Sequence, residues 1–252
     1  MFSKQSRYII ETAGLIFILL CFFGQVRADD STRFNLGVQL GTDVGGCVPY
    51  PFRYVPETFN MYPKINLSLG GKLTFPVKEQ WSLGAEVTYK TLSTSADARV
   101  KNQRFEDDGQ IQYFTGSAEM NMQFTMLEFP LYAKYAFPSD NYRLLFGAYG
   151  TYVLQSKFVT LAKKGFVGTE GPDIVSIPLE PEGMEMVFSD ALGRWDAGLV
   201  LGYERKIMSR FDLGLRFMWG FKDIFKPENK YFDYSMIHIR GVVVLSYTLL
   251  RI

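Results

Sequence analysis

The sequence predicts an all-β fold: an eight-stranded antiparallel up-and-down transmembrane β-barrel with short periplasmic turns and long extracellular loops. Three observations indicate it: stretches that alternate apolar with polar residues, an N-terminal export signal, and three short polar turns bracketed by aromatic residues. The turns lie at residues 76–80, 138–141 and 204–210, and their flanking aromatics are Phe75 and Trp81, Phe137 and Tyr142, and Tyr203 and Phe211. Short turns with aromatics at the boundary are what a membrane barrel requires.

The first 28 residues have the pattern of a secretory signal peptide. Lys4 and Arg7 form a positive start, residues 13–23 are an apolar run, and Val26 and Ala28 suit the cleavage site before Asp29. The alternative is an N-terminal membrane anchor, but the run is too short to span a bilayer as a helix. The sequence therefore predicts a signal peptide at 1–28 and one outer-membrane β-barrel domain at 29–252.

Composition narrows the function classes. Aromatic residues make up 16% of the chain, with 22 Phe and 15 Tyr, which suits a barrel with interfacial aromatic girdles. The formal net charge is only +1, so no basic excess points to nucleic acid. Cys47 is the only cysteine after residue 28, which excludes an internal disulfide. A disulfide between Cys47 and another chain is the remaining alternative to an incidental thiol.

Eight stretches alternate with period two, as strands with one apolar face do. In the first, Leu36, Val38 and Leu40 share one face, with Gly37 and Gln39 opposite. The predicted strands span residues 32–42, 64–75, 81–90, 127–137, 142–155, 195–204, 211–222 and 237–249. Eight is an allowed strand number, and about ten tilted residues per strand cross a bilayer.

Alternation alone does not say which face points outward, since a soluble lipocalin-like barrel has the same period with its apolar face inside. The polar face here is rich in glycine, which weakens a solvent-facing strand but leaves room for long charged side chains in a narrow lumen. These glycines are 37, 41, 70, 84, 147, 198, 202, 214 and 220. Together with the export signal, they predict that the apolar face meets lipid in the outer membrane.

The fourth predicted strand carries a familiar motif. The run 127–131 (LEFPL), followed by Lys134 and Tyr135, resembles a motif of the outer-membrane β-barrel family common in the Bacteroidota, often called porin-family or PorT-like. Residues 145–147, 196–198, 202–204 and 213–217 resemble the family's next, sixth and seventh strands. The resemblance implies the same barrel fold and, for one member type, an association with secretion. It implies no catalytic residues.

Charged residues of both signs lie on the face predicted to line the lumen. Because buried charges need partners, we expect salt bridges and hydrogen bonds that fill the barrel. The alternative is a gated narrow pore or a proton path. The candidate network consists of Lys72, Glu86, Glu128, Lys134, Arg143, Asp196, Glu204, Asp212, Arg216 and Arg240, and Lys90 and Lys222 lie on the same predicted face.

Pro130 interrupts the polar face next to Glu128. Proline cannot donate to a sheet ladder, so we expect a bulge or a local irregularity there. The simple interpretation is a kink in the barrel wall. The alternative is a lateral opening for lipid or for a partner.

The long loops are the better place for recognition. The first loop combines prolines with aromatics that commonly anchor interfaces, and its candidate binding residues are Tyr50, Phe52, Arg53, Tyr54, Phe59 and Tyr62. Alternatively, these rings pack over the barrel mouth. The second loop, 97–108, carries mixed charges. The third carries acidic residues that suit a solvated surface or cation-bridged lipopolysaccharide: Glu170, Asp173, Glu180, Glu182 and Glu185.

These patterns predict a non-enzymatic scaffold or partner-binding protein of the cell envelope. The resemblance to PorT-like proteins implies a role in secretion or assembly. The alternatives are a small channel and a lipid-modifying enzyme. His238 is the only histidine, and its spacing to Ser235 and Asp233 matches no catalytic triad. No cofactor or metal motif is present in the sequence. The expected partners are outer-membrane lipid, lipopolysaccharide and an envelope or secretion-machine protein.

Overall fold

The computed structural model describes residues 34–55, 60–107, 110–138, 141–168, 177–178, 183–227 and 234–251. The predicted signal peptide lies outside these ranges, and its cleavage stays a prediction. No helix in the described ranges has the length and apolar character needed to cross a membrane.

The described residues form eleven strands and two short 3-10 turns, Phe52–Tyr54 and Ser189–Ala191. The strands are β1 (Asn35–Tyr50), β2 (Asn60–Pro63), β3 (Asn66–Pro76), β4 (Trp81–Asp107), β5 (Gln110–Ala136), β6 (Tyr142–Gly168), β7 (Ile177–Pro178), β8 (Met184–Val187), β9 (Trp195–Lys206), β10 (Phe211–Gly220) and β11 (Ser235–Arg251).

Eight of these strands close into a ring. Around the ring the order is β1, β3, β4, β5, β6, β9, β10 and β11, and β11 pairs with β1 to complete it. Every neighbouring pair is antiparallel, and consecutive ring strands are neighbours, so the topology is up-and-down. The short strands lie off the ring: β2 pairs with β4, and β7 and β8 pair with β6. The predicted eight-stranded barrel is confirmed.

The two faces of the ring carry opposite chemistry. Each ring strand exposes a large apolar side chain on its outer side: Leu40, Leu69, Val87, Phe129, Phe146, Leu201, Leu215 and Leu245. Each also buries a polar side chain on its inner side: Gln39, Lys72, Glu86, Lys134, Thr151, Glu204, Arg216 and Arg240. A soluble barrel has the reverse arrangement, so these faces match a wall surrounded by lipid.

Aromatic contacts form a girdle at the end with the short turns. Trp81 packs against Tyr135 with ring centroids 5.0 Å apart, and Phe211 lies 4.9 Å from Tyr247. A second group stands towards the long loops, where Tyr152 packs against Trp195 at 4.7 Å. Two aromatic bands with an apolar belt between them are typical of a barrel that crosses a bilayer.

Three neighbouring strands continue far past the predicted ends. β4, β5 and β6 are 27 residues each, and at about 3.3 Å per residue they are much longer than a bilayer crossing needs. The predicted mixed-charge loop at 97–108 is therefore wrong for residues 97–107, which belong to β4. On β4 and β5 beyond Thr91 and Thr125, most outward side chains are polar, such as Ser93, Asn121 and Gln123. Most inward ones are buried and apolar, such as Leu92, Met122 and Phe124. The pattern that marks a strand in lipid therefore ends before the strands do.

Two bulges set which β6 side chains point inward. The register between β5 and β6 shifts between Thr125 and Met126, where Leu154 is the extra residue, and again between Ser117 and Ala118, where Lys163 is the extra residue. The first shift allows both Val153 and Phe158 to be buried despite their odd separation. This explains why alternation along the predicted fifth strand is irregular.

Pro130 interrupts pairing on one side only. The β4–β5 ladder passes from Ala85–Leu131 to Thr88–Glu128 without the two intervening pairs and without a register shift. On its other side Pro130 pairs with Tyr149 of β6. The expected irregularity is thus a local gap in hydrogen bonding, not a bulge.

Candidate functional site

The lumen holds ionic clusters stacked along the barrel. In the cluster nearest the short turns, Glu204 is the shared acceptor: Lys72 lies 2.7 Å from its carboxylate, and Lys134 and Arg143 each lie 3.0 Å from it. Arg143 also contacts Asp212 at 3.2 Å. These five residues come from β3, β5, β6, β9 and β10, so the cluster crosses the lumen.

The central cluster is built on Glu86 and Arg216. Two guanidinium nitrogens of Arg216 lie 2.5 and 2.7 Å from the Glu86 carboxylate, a bidentate pair. The Tyr132 hydroxyl and the Gln39 side-chain amide also donate to Glu86. Gly84 makes room for this arrangement, because a Cβ at that position would overlap the Tyr132 ring. The absence of a side chain at Gly84 therefore allows the Tyr132 ring to lie where its hydroxyl reaches Glu86.

The third cluster is a closed ring of alternating charge. Lys90 contacts Asp43 at 3.0 Å and Glu128 at 2.7 Å, and Arg240 contacts the same two carboxylates at 2.7 and 2.5 Å. All four side chains are buried, and they come from β4, β1, β5 and β11. Sequence reasoning missed Asp43 because it ended the first strand at Thr42, although the alternation continues through that position.

Asp196 stands apart from these clusters. Of the ten residues in the candidate network, the structure brings nine into ion pairs, and Asp196 makes none with the described residues. Its Oδ2 accepts a hydrogen bond from the Tyr149 hydroxyl at 3.1 Å. Lys222, which was predicted to face the lumen, is exposed just past the end of β10 at Gly220, so that prediction is wrong.

An apolar core closes the lumen at the long-loop end. Inward side chains of the extended strands, among them Leu92, Met122, Phe124 and Phe158, are buried there. Two loop segments fold in to complete it: the N–H of Gly193 donates to the Ile224 carbonyl at 2.6 Å, and the N–H of Lys226 to the Ala191 carbonyl at 2.8 Å. Among the described residues, the mouth is therefore filled with side chains, as an eight-stranded barrel permits.

The only histidine contacts the only cysteine of the barrel. Cys47 Sγ lies 3.3 Å from His238 Nδ1, across the β1–β11 pairing, and Phe124 packs edge-on against the imidazole. Cys47 is 1% exposed, which argues against a disulfide with a partner chain. The other residue considered beside His238, Asp233, lies outside the described residues. No group of three or more His, Cys, Asp or Glu suited to a metal occurs in the described part of the chain.

The first long loop leaves aromatic rings on the surface. Tyr50, Phe52 and Tyr62 are 43%, 52% and 51% exposed, and the rings of Tyr50 and Phe52 meet edge-on at 5.7 Å. Arg53 is exposed in the same 3-10 turn, in which Tyr54 is the last residue. Phe59 lies outside the described residues. The exposure of Tyr50, Phe52 and Tyr62 does not match the alternative in which these rings pack over the barrel mouth.

The outward face of the extension carries a polar network. Lys163 lies 2.6 Å from Glu119, whose other carboxylate oxygen accepts from Asn121 at 3.1 Å, and Ser95 donates to Asn121 at 2.6 Å. The hydrogen bond from Lys163 lowers the pKa of the Glu119 carboxyl below its usual value. Of the acidic residues predicted in the third loop, Glu185 lies exposed in β8, and Glu170, Asp173, Glu180 and Glu182 lie outside the described residues.

Comparison with known proteins identifies a family. The family model described as "Outer membrane protein beta-barrel domain" matches residues 23–226 of this chain. No curated protein matches the chain.

Several solved structures are similar in fold. Ail, the attachment invasion locus protein of Yersinia pestis, solved with the heparin analogue sucrose octasulfate, shares 8% identity over 88% of this chain and 99% of its own, with a TM-score of 0.38. OprG from Pseudomonas aeruginosa shares 11% identity over 86% and 96%, with a TM-score of 0.34. The Escherichia coli outer-membrane protease OmpT shares 10% identity over 89% and 100%, with a TM-score of 0.29. At these values the likeness carries no argument about function.

Proposed function

Because this chain belongs to the family of outer-membrane proteins with a β-barrel domain, we propose that it is a non-enzymatic scaffold that binds a partner at the long-loop end of a closed barrel. One contrast supports the proposal. The lumen is filled by ionic clusters and then by an apolar core, whereas Tyr50, Phe52 and Tyr62 stay about half exposed outside it. Exposed tyrosine and phenylalanine on a folded support are the residues that most often anchor protein interfaces.

The extension of β4, β5 and β6 supplies the support. β2, which carries Tyr62, pairs with residues 94–97 of β4, so the first loop is attached to the extended sheet. The inward face of that sheet packs against the apolar core, which stiffens the surface on which the rings stand. A pre-ordered surface loses less entropy on binding than a free loop does.

The partner class follows the family resemblance in the sequence. We assign the surface to another protein of the cell envelope, within a secretion or assembly machine, which is the PorT-like role. In this proposal, lipid and lipopolysaccharide surround the apolar outer face of the barrel, and the first long loop binds a protein.

The test is cross-linking in intact cells followed by mass spectrometry, comparing wild type with Phe52→Ala and Tyr62→Ala. The matched control is Phe166→Ala, which removes a ring of similar exposure (51%) from β6. We expect one stoichiometric envelope protein, lost in the two loop variants and kept in the control. Equal recovery from all four proteins would overturn the proposed surface.

A second measurement separates the scaffold from the channel alternative. A planar bilayer with purified protein should stay silent, because ion passage requires the buried pairs of three clusters to separate. Discrete conductance steps that change in Glu128→Gln or Arg216→Gln would contradict the closed barrel and favour a channel.

A further inference from the structure

Asp196 differs from the other carboxylates of the lumen. Asp43, Glu86, Glu128, Glu204 and Asp212 each lie within ion-pair distance of at least one lysine or arginine. Asp196 is only 7% exposed and makes no such pair with the described residues. A buried carboxylate without a compensating charge is costly, so a partner of positive charge is expected near it.

One oxygen of this carboxylate has no hydrogen-bond donor. Tyr149 donates to Oδ2, and the backbone N–H of Ala197 is a further donor towards the carboxylate, but Oδ1 itself has no hydrogen-bond partner among the described residues. Arg240 is the main positive charge that acts on Asp196, but its guanidinium forms its ion pairs with Asp43 and Glu128 and makes none with Asp196. Oδ1 is therefore free to bind something that the protein does not supply.

Two further oxygens converge with Oδ1 beside Gly220. The position that a Cβ of residue 220 would take lies 3.2 Å from Asp196 Oδ1, 3.1 Å from the Tyr149 hydroxyl oxygen and 3.1 Å from the His238 carbonyl oxygen. These groups come from β9, β6 and β11. Because residue 220 on β10 is glycine, no side chain fills the space between the three oxygens. The arrangement presents three oxygens to one place in the lumen, and the guanidinium of Arg240 stands beside the Tyr149 ring, 5.5 Å from its centroid.

We infer that Asp196, the Tyr149 hydroxyl and the His238 carbonyl form a binding site for a monovalent alkali cation, Na⁺ or K⁺. Carboxylate, hydroxyl and carbonyl oxygens are the ligands that hard cations select. A single carboxylate supplies one negative charge, which one monovalent ion cancels. The site lies beside the alternating ring of Asp43, Lys90, Glu128 and Arg240, since Thr151 pairs with both Asp196 and Glu128. It is independent of the partner-binding role proposed for the first loop.

The first test is thermal unfolding of the purified full chain in detergent micelles at constant ionic strength. We expect a higher midpoint in NaCl or KCl than in choline chloride, since a ligand that binds only the folded state stabilises it. Asp196→Asn removes the charge, and Gly220→Ala places a methyl group among the three oxygens, so both variants should lose the difference. Asp212→Asn is the matched control and should keep it, because Asp212 is paired with Arg143.

The second test locates the ion directly. Crystals of the protein soaked in Tl⁺, which replaces K⁺ and scatters anomalously, should show a peak beside Asp196 Oδ1 in wild type and none in Gly220→Ala. Equal midpoints in all three salts together with no peak would overturn the inference and assign Asp196 a proton instead. A salt effect that survives in Asp196→Asn would overturn it as well, because the ion would then bind elsewhere.

Discussion

Tyr89 on β4 lies directly opposite Leu127 on β5, and this pair marks the level at which the outward face of the barrel changes from apolar to polar. The next outward pair along the same two strands is Thr91 with Thr125. On the inner face the change runs the other way, from Lys90 and Glu128 to Leu92 and Met126. The outer face of one continuous sheet therefore suits lipid on the short-turn side of this pair and water on the long-loop side.

Cysteine labelling tests the position of that level. Gln123→Cys and Val87→Cys both place an exposed thiol on the outer face, with the first beyond the Tyr89–Leu127 pair and the second within the belt. We expect a membrane-impermeant maleimide to label Gln123→Cys in intact cells and to leave Val87→Cys unlabelled, because lipid covers the latter. Cys47 is buried and should stay silent in both.

Denatured samples provide the control, since both introduced thiols should then react equally. Equal labelling in intact cells would show that the apolar belt ends below Val87 and would contradict the level assigned here.

The barrel could be predicted from the sequence because its signals are local. Alternation from Leu36 to Leu40 and the aromatics Phe75 and Trp81 around a short turn each need only neighbouring residues. The extension could not be predicted, because the sequence signal of a strand in lipid is a row of apolar side chains on the outer face, and the extension lacks that row. Past Thr91 that face is polar, and the ladder to β5 persists with the opposite pattern.

The lumen residues could be predicted as a set but not as pairs. The alternation of side chains along each strand places Lys72 and Glu204 on the inner face. Their contact joins residues 132 positions apart, and it forms because the closed ring brings β3 and β9 to opposite sides of one narrow lumen. Asp43 was missed because the predicted first strand ended one residue before it, at Thr42, whereas β1 continues to Tyr50. The sequence also places Asp196 and Lys222 on the same lumen face, and only the structure shows that Lys222 is exposed past Gly220 and that Asp196 forms no ion pair with the described residues.

The pair Glu86–Arg216 should be the most sensitive ionic contact to single substitution. Glu86→Gln leaves the Arg216 guanidinium buried without its carboxylate, and breaking a buried pair on one side costs about 3–5 kcal/mol. The measurement is urea unfolding of the protein in lipid vesicles. Glu86→Gln combined with Arg216→Met should recover much of the loss, since no charge is then left unpaired.

The exposed pair Glu119–Lys163 is the control for this prediction. Lys163→Gln should leave the free energy of unfolding nearly unchanged, because solvent screens an ion pair of this kind. If Glu86→Gln were as mild as Lys163→Gln, the central cluster would contribute little to stability.

Gly84 should be intolerant of even a methyl group. An alanine Cβ there would overlap the ring of Tyr132, so Gly84→Ala displaces the hydroxyl that donates to Glu86. Overpacking of this kind costs about 1–3 kcal/mol. Gly71→Ala is the matched control, since Gly71 on β3 has open space where a Cβ would lie. Equal unfolding midpoints for the two variants would mean that Tyr132 is not held against Gly84.

Phe158 and Phe166 on β6 test whether the mouth is a packed core. Phe158 is fully buried in the apolar core, while Phe166 is 51% exposed near the end of the strand. Truncating a buried phenylalanine to alanine costs about 3–5 kcal/mol, so Phe158→Ala should loosen the long-loop end. Limited proteolysis of the purified protein should then cleave the segment between β6 and β9 faster than in wild type or in Phe166→Ala. The membrane-spanning part of the barrel should resist the protease in wild type and in both variants, because its closed hydrogen-bond ladder does not depend on the Phe158 side chain. Loss of the whole barrel in Phe158→Ala would instead show that the mouth core and the membrane ring unfold as one unit.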